Sequence, residues 1–214
     1  MNIFSGARAL FLAPHTDDVE LGCGATLARC VEECETVDVV VFSTATQSLP
    51  DGSAPDRLKT EFLKAMEEYS IPRERIHVFD FEVRRLNYSR QEVLEELVKL
   101  RAQLNPNIVF TPSRGDVHQD HQVVHNESLR AFKTVTMLGY ELPWNHFHFE
   151  SRVFVHVTEA QMDKKLIALQ AYESQIEKNR GYFEAEFIKG LARVRGIQQG
   201  VPYSEAFELI TLKV

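Results

Sequence analysis

The chain alternates short apolar runs with stretches in which apolar residues recur at helical spacing. Residues 9–13, Ala-Leu-Phe-Leu-Ala, form an unbroken apolar run of strand length. Residues 22–33 follow as a helix, with Leu27, Cys30 and Val31 on one face. Residues 37–42 are β-branched and almost wholly apolar, as expected of a parallel strand covered on both faces. Residues 43–54 are polar and hold Pro50 and Gly52, which predicts a loop. Helices are predicted over 57–69 and over 89–104, the second opened by a capping box of Ser89 and Glu92. Strands are expected at 76–79 and 107–110, and a helix at 120–132. The remainder reads as a strand at 152–157, helices at 158–172 and 182–195, and a last strand at 207–212.

Strands alternating with helices predict an α/β fold: a Rossmann-like open, mostly parallel sheet with helices on both faces, as one domain over residues 1–214. Ligand sites in such sheets lie at the carboxyl ends of the strands. Hydrophobic residues make up 44% of the chain and charged residues 26%, enough for a full core. The net charge of −7 argues against a nucleic-acid partner, although a local Arg/Lys pocket can still hold a small anion. Cys23, Cys30 and Cys34 are odd in number and form no Cys-x-x-Cys pair, so they are expected to be ordinary thiols in a reducing compartment. No stretch reads as a signal peptide or a membrane span, which predicts a cytoplasmic protein.

Two charged clusters fall at the predicted strand ends. His15, Asp17 and Asp18 follow the first strand; Asp116, His118, Asp120 and His121 follow the fourth. Carboxylates at the edge of a core cost several kcal/mol unless something positive answers them, and a divalent metal is the usual answer to a His/Asp cluster. In the first cluster one carboxylate can ligate a metal while its neighbour stays free as a general base. The competing reading is an acidic helix N-terminus, which leaves His15 without a role. In the second cluster one of His118 and His121 can bind metal while the other meets the substrate. His125, four residues after His121, is expected to support the site or to be a buried structural histidine. The aromatic run at residues 144–149 is expected to be core packing rather than a sugar pocket.

Residues 14–28, Pro-His-Thr-Asp-Asp-Val-Glu-Leu-Gly-Cys-Gly-Ala-Thr-Leu-Ala, and 116–121, Asp-Val-His-Gln-Asp-His, resemble the two motifs of the PIG-L/LmbE-like family of zinc-dependent N-deacetylases. Weaker similarity runs through residues 172–175 and 203–207. Thr16 and Gln119 stand where that family usually has proline, and Glu20 is displaced by one position. The resemblance implies that His15, Asp18 and His121 hold zinc, with iron as an alternative for a two-histidine, one-carboxylate set. It implies that Asp17 is the general base, that His118 stabilises the oxyanion, and that Asp120 orients a histidine. It implies an N-acetylated amino sugar or sugar conjugate as substrate, acetate and a free amine as products, and a homo-oligomer, trimer or hexamer. Arg57 and Arg114 are candidate substrate contacts, with Arg84 and Arg85 beside them.

Three rivals compete with this reading. Residues 20–25 echo the Gly-rich loop of a methyltransferase, but that loop must follow a buried strand directly, and residues 15–19 cannot be one. A catalytically silent binding module leaves the complete catalytic set without a purpose. A zinc amidohydrolase acting on a non-sugar amide uses the same residues, because metal and base do not choose the substrate.

Overall fold

A computed structural model describes residues 2–49 and 52–213; Pro50, part of the predicted loop, lies outside them. Seven strands form one sheet: β1 (Arg8–Ala13), β2 (Thr36–Val41), β3 (Ile76–Val78), β4 (Ile108–Pro112), β5 (Thr136–Tyr140), β6 (Val153–Val157) and β7 (Tyr203–Thr211). Their spatial order is β3-β2-β1-β4-β5-β7-β6. The first five are mutually parallel, and β7 runs antiparallel between β5 and β6. The α/β, mostly parallel sheet expected from the alternation is therefore the one observed.

Period-two alternation in β1 sends its side chains into two cores. Phe11 joins Phe110, Leu27, Phe62, Met162 and Ile188 on one face. Its ring stacks on Phe110 with centroids 4.2 Å apart. Leu10 and Leu12 join Val40, Val93, Leu97, Val123 and Val124 on the other. Helices α1 (Asp18–Glu33), α2 (Arg57–Glu68), α5 (Glu159–Gln170) and α7 (Ala185–Ile197) cover the first face, and α3 (Arg90–Leu104) and α4 (Gln119–Ala131) the second. The short α6 (Glu173–Ile176) follows α5. Among the described residues no helix is long and apolar enough to cross a membrane.

Several local expectations are corrected. Strand β5 lies in a stretch to which the hydrophobic pattern assigns no element; it is only five residues long, Thr-Met-Leu-Gly-Tyr, and Thr136 and Gly139 interrupt the apolar run that marks β1 and β2. The Ser89 side chain makes no cap hydrogen bond. A complete capping box occurs instead at Thr158 and Gln161, opening α5. Helix α1 starts at Asp18, four residues before the predicted start, and is broken at Cys23, where φ is −152° and ψ is 32°.

That break has a structural cause and a repair. A Cβ on Gly22 would sit 2.5 Å from the Tyr140 ring, and one on Gly24 would sit 2.6 Å from the Tyr69 hydroxyl. Both glycines let bulky side chains approach the helix backbone, as tight packing beside the site loop requires. The backbone groups freed by the break are taken up by a buried pair from distant elements. Lys165 Nζ donates to the Leu21 carbonyl at 2.8 Å and to Glu205 at 2.7 Å. The Glu205 carboxylate accepts the amides of Ala25 at 3.2 Å and Thr26 at 2.6 Å.

Candidate functional site

Strands β1 and β4 are neighbours, and the chain leaves them toward helices on opposite faces. This is the point where strand order reverses, and it opens a crevice at the carboxyl edge. The loop after β1 delivers His15, Asp17 and Asp18; the loop after β4 and the first turn of α4 deliver Asp116, His118, Asp120 and His121. The two clusters meet there.

Three donor atoms converge. Asp18 Oδ2 lies 3.2 Å from His15 Nδ1 and 3.3 Å from His121 Nε2, and those two nitrogens are 3.3 Å apart. A tetrahedral ion with ligands at about 2.0–2.1 Å has edges of about 3.3–3.4 Å, so this triangle matches one face of such a shell. The far side of each ring is fixed by a carboxylate. His15 Nε2 donates to Asp120 Oδ2 at 3.0 Å, and His121 Nδ1 donates to Asp116 Oδ2 at 2.7 Å. These bonds leave Nδ1 of His15 and Nε2 of His121 aimed at the common point. Asp120 is itself held by the amides of Arg84 at 2.5 Å and Leu86 at 3.2 Å. Asp116 accepts the amide of His118 at 2.8 Å.

The electrostatics agree with a cation-binding point. Burial disfavours a charged His15, but Asp18 and Asp120 outweigh it and raise its pKa to about 9. Burial likewise opposes charge on His121, and Asp18 with Asp116 carries it to about 10. Burial would raise Asp18, yet His121 and His15 hold it far below the usual carboxylate range. The cluster thus draws positive charge into a nearly closed site, and a divalent ion can take the place of those protons.

Two groups border the triangle in different states. Asp17 is half-buried, and burial together with the adjacent Asp18 raises its pKa to about 6, partly offset by His15 and Arg180. It is ionised at neutral pH and ready to accept a proton. His118 is the N-cap of α4, and its Nδ1 accepts the Asp120 amide at 3.2 Å. Burial and the neighbouring His121 and His15 lower its pKa to about 4. It is therefore a neutral imidazole that carries its proton on Nε2. His15, His118 and His121 each offer a ring nitrogen within 4.8 Å of the others, and this triad could also hold a metal ion.

The cleft above these groups has a volume of about 360 Å³ and is bordered by Arg84, Trp144, Gln175, Lys178, Arg180 and Tyr182. Neither Arg57 nor Arg114 borders it. The Arg57 guanidinium is taken by Glu61 at 3.1 Å and Glu177 at 2.8 Å. Arg114 points to solvent beside Glu208. Trp144 is expected in the core from sequence, but the residue is 37% exposed and its ring stacks on Tyr182 at 4.1 Å along the cleft. His125 is buried, with Nδ1 donating to the Pro112 carbonyl at 2.8 Å, and it makes no hydrogen bond to the cluster. Glu20 is fully buried and bonded to the Tyr172 hydroxyl, which donates to the Thr16 carbonyl at 2.6 Å. The pair braces the turn that carries Asp17. Lys178 and Arg180 carry no signal in the sequence, since they follow α6 in a stretch without motif or periodicity, and Tyr182 is singled out only by the fold.

A family model described as PIG-L, GlcNAc-PI de-N-acetylase, matches residues 10–132. The chain is 31% identical over 174 residues to the uncharacterized deacetylase YaiS of Escherichia coli, covering 77% of this chain and 90% of that protein. It is 23% identical over 225 aligned positions to the diacetylchitobiose deacetylase of Thermococcus kodakarensis, covering 95% of this chain and 83% of the relative. Among solved structures, the conserved protein TT1542 from Thermus thermophilus superposes with a TM-score of 0.80 at 25% identity, over 97% of each chain.

Proposed function

This chain belongs to the PIG-L family of GlcNAc-PI de-N-acetylases, and from that premise we propose that it is a metal-dependent N-deacetylase that hydrolyses the acetamide of an N-acetylated amino sugar or sugar conjugate. The observation that carries this reading is the triangle of His15 Nδ1, Asp18 Oδ2 and His121 Nε2, with edges of 3.2–3.3 Å and a free carboxylate, Asp17, beside it. We assign the metal, zinc or iron, to these three residues rather than to the histidine triad. Asp18 supplies negative charge at the shared point, whereas His118 is already committed through Nδ1 to the Asp120 amide.

A bound divalent ion supplies Lewis acidity, easing loss of a proton from water and polarising the amide carbonyl. The chain's own residues do the rest. Asp17 accepts the proton of the attacking water. His118, neutral with a proton on Nε2, donates a hydrogen bond to the developing oxyanion, a contribution of about 3–4 kcal/mol for one donor in a closed site. The proton that Asp17 has taken from the water then passes to the leaving amine. Asp116 and Asp120 keep the two ligand rings in the tautomer that the site needs. Acetate and a free amino sugar result. Self-association as a trimer or hexamer accompanies this reading as an inference from the resemblance.

The test is metal content beside turnover of N-acetylglucosamine conjugates and of non-sugar acetamides. Chelation should abolish release of free amine, and added zinc or iron should restore it. Asp17→Asn should keep its metal and lose about 100- to 10,000-fold in kcat. Loss of metal with activity in that variant would contradict Asp17 as base, and absence of amine release from every acetamide would overturn the hydrolase.

A further inference from the structure

The turn after β5 reaches across the sheet edge to the loop that carries Asp116. It is a single helical turn, Pro143–Asn145, followed by the half-buried His146. His146 Nδ1 donates to the Leu142 carbonyl at 2.6 Å. A carbonyl only accepts, so the ring carries its proton on Nδ1, and in the neutral ring Nε2 is an acceptor. The Ser113 hydroxyl, sealed from solvent directly after β4, donates to that nitrogen. One imidazole thus joins the segments that leave β4 and β5. It makes no hydrogen bond to His15, Asp18 or His121.

Further contacts carry the join to Asp116. The Val117 amide donates to the Asn145 carbonyl at 3.0 Å, and Asp116 and His146 form an isolated antiparallel bridge. Asn145 Nδ2 donates to Asp116 Oδ2 at 3.4 Å, the same oxygen that accepts the His121 Nδ1 proton. Gly115 permits this approach: a Cβ there would sit 2.5 Å from the His148 carbonyl oxygen and 3.3 Å from His146 Cδ2. The other partners of Asp116, the His118 amide and the Gln122 side chain, belong to its own loop and to α4. The contacts to residues 145 and 146 tie the loop instead to the strand on its other side. A metal-binding ring is held to about 0.5 Å only when the groups behind its carboxylate are themselves locked.

We propose that His146, clamped between Ser113 and Leu142, is a positioning residue for the metal centre, acting with Asn145 through Asp116 on the His121 ring. The inference rests on the metal-dependent deacetylase reading and extends it to a residue that sits outside the metal cluster. Asn145 and Trp144 also border the cleft, so the clamped turn faces the substrate on one side and the carboxylate behind His121 on the other.

The test is zinc affinity, read by competition against a fluorescent chelator, with folding of each variant checked by urea unfolding of the metal-free protein. His146→Ala should weaken zinc binding about three- to tenfold, less than loss of Asp116 because it acts one contact further out. Asn145→Ala should shift affinity in the same direction. His146→Gln, whose side-chain oxygen can replace Nε2 as acceptor of the Ser113 hydroxyl proton, should return affinity to within about twofold of the parent. In an Asp116→Ala background, His146→Ala should have no further effect, because the path it uses is already cut. Should His146→Ala fail to fold, Ser113→Ala cuts the same tie while keeping the ring, and must show the same loss. Unchanged affinity, a loss that His146→Gln does not repair, or a loss undiminished in the Asp116→Ala background overturns the proposal. Because binding is read without turnover, the two readings fail separately. Amine release with zinc affinity unchanged in the variants sinks only the inference; the expected losses without amine release from any acetamide sink only the deacetylase. A parent protein that holds no zinc overturns both.

Discussion

Asp116 Oδ2 accepts the Nδ1 proton of His121 at 2.7 Å, with both side chains almost sealed from solvent. The carboxylate fixes which nitrogen of the ring is bare, and so which atom faces Asp18. Removing it frees the ring to rotate or to take the other tautomer. Asp116→Ala is expected to weaken metal binding about 10- to 100-fold while the fold persists. A competition titration against a fluorescent zinc chelator measures this directly. Unchanged affinity would mean that His121 is oriented by packing alone.

His118 separates two ways of building the centre. If Asp18 is the third ligand, His118→Ala keeps the metal and lowers kcat about 100- to 1,000-fold, as loss of one oxyanion donor does. If the three histidines form the site, the same variant loses metal. Elemental analysis of the purified variant, paired with its rate, decides between them.

Gly22 is required by contact. An added Cβ would meet the Tyr140 ring at 2.5 Å, and that ring is pinned by a hydrogen bond from its hydroxyl to the Leu12 carbonyl at 2.9 Å. Gly22→Ala should destabilise the protein by about 1–3 kcal/mol through overpacking, seen as a lower urea midpoint with an unchanged slope. A midpoint equal to the parent's would show that the helix can shift at no cost.

The pair Lys165–Glu205 is buried and serves the broken backbone of α1. Glu205→Ala leaves a buried ammonium and two amides unanswered, and should cost about 3–5 kcal/mol. Replacing both residues with apolar ones should recover part of that loss but not all, because the amides of Ala25 and Thr26 stay unpaired. Denaturant unfolding of the single and the double variant gives the comparison.

Much of the site is legible along the chain because its chemistry is concentrated in two short segments at strand ends. His15, Asp17 and Asp18 are within four positions, and His118, Asp120 and His121 within four more; strand-helix alternation alone brings both to one sheet edge. The role of Asp116 is harder to see. It belongs to the second segment, but only the turn into α4 shows that its carboxylate faces the His121 ring. Strand β5 escapes because Thr136 and Gly139 cut its apolar run to Met137 and Leu138, too short to read as a buried strand.

Local order in the sequence determined the α/β class, the parallel core strands and the two clusters, since each follows from side-chain periodicity within a dozen residues or from adjacent residue types. Tertiary structure alone decided what surrounds them. The cleft wall of Trp144 and Tyr182, the cations Lys178 and Arg180, the brace of Glu20 on Tyr172, and the repair of α1 by Lys165 and Glu205 join residues far apart in the chain. No short window contains both Trp144 and Tyr182, both Glu20 and Tyr172, or both Lys165 and Glu205. Arg57 likewise pairs across the chain with Glu177, a partner no local pattern announces.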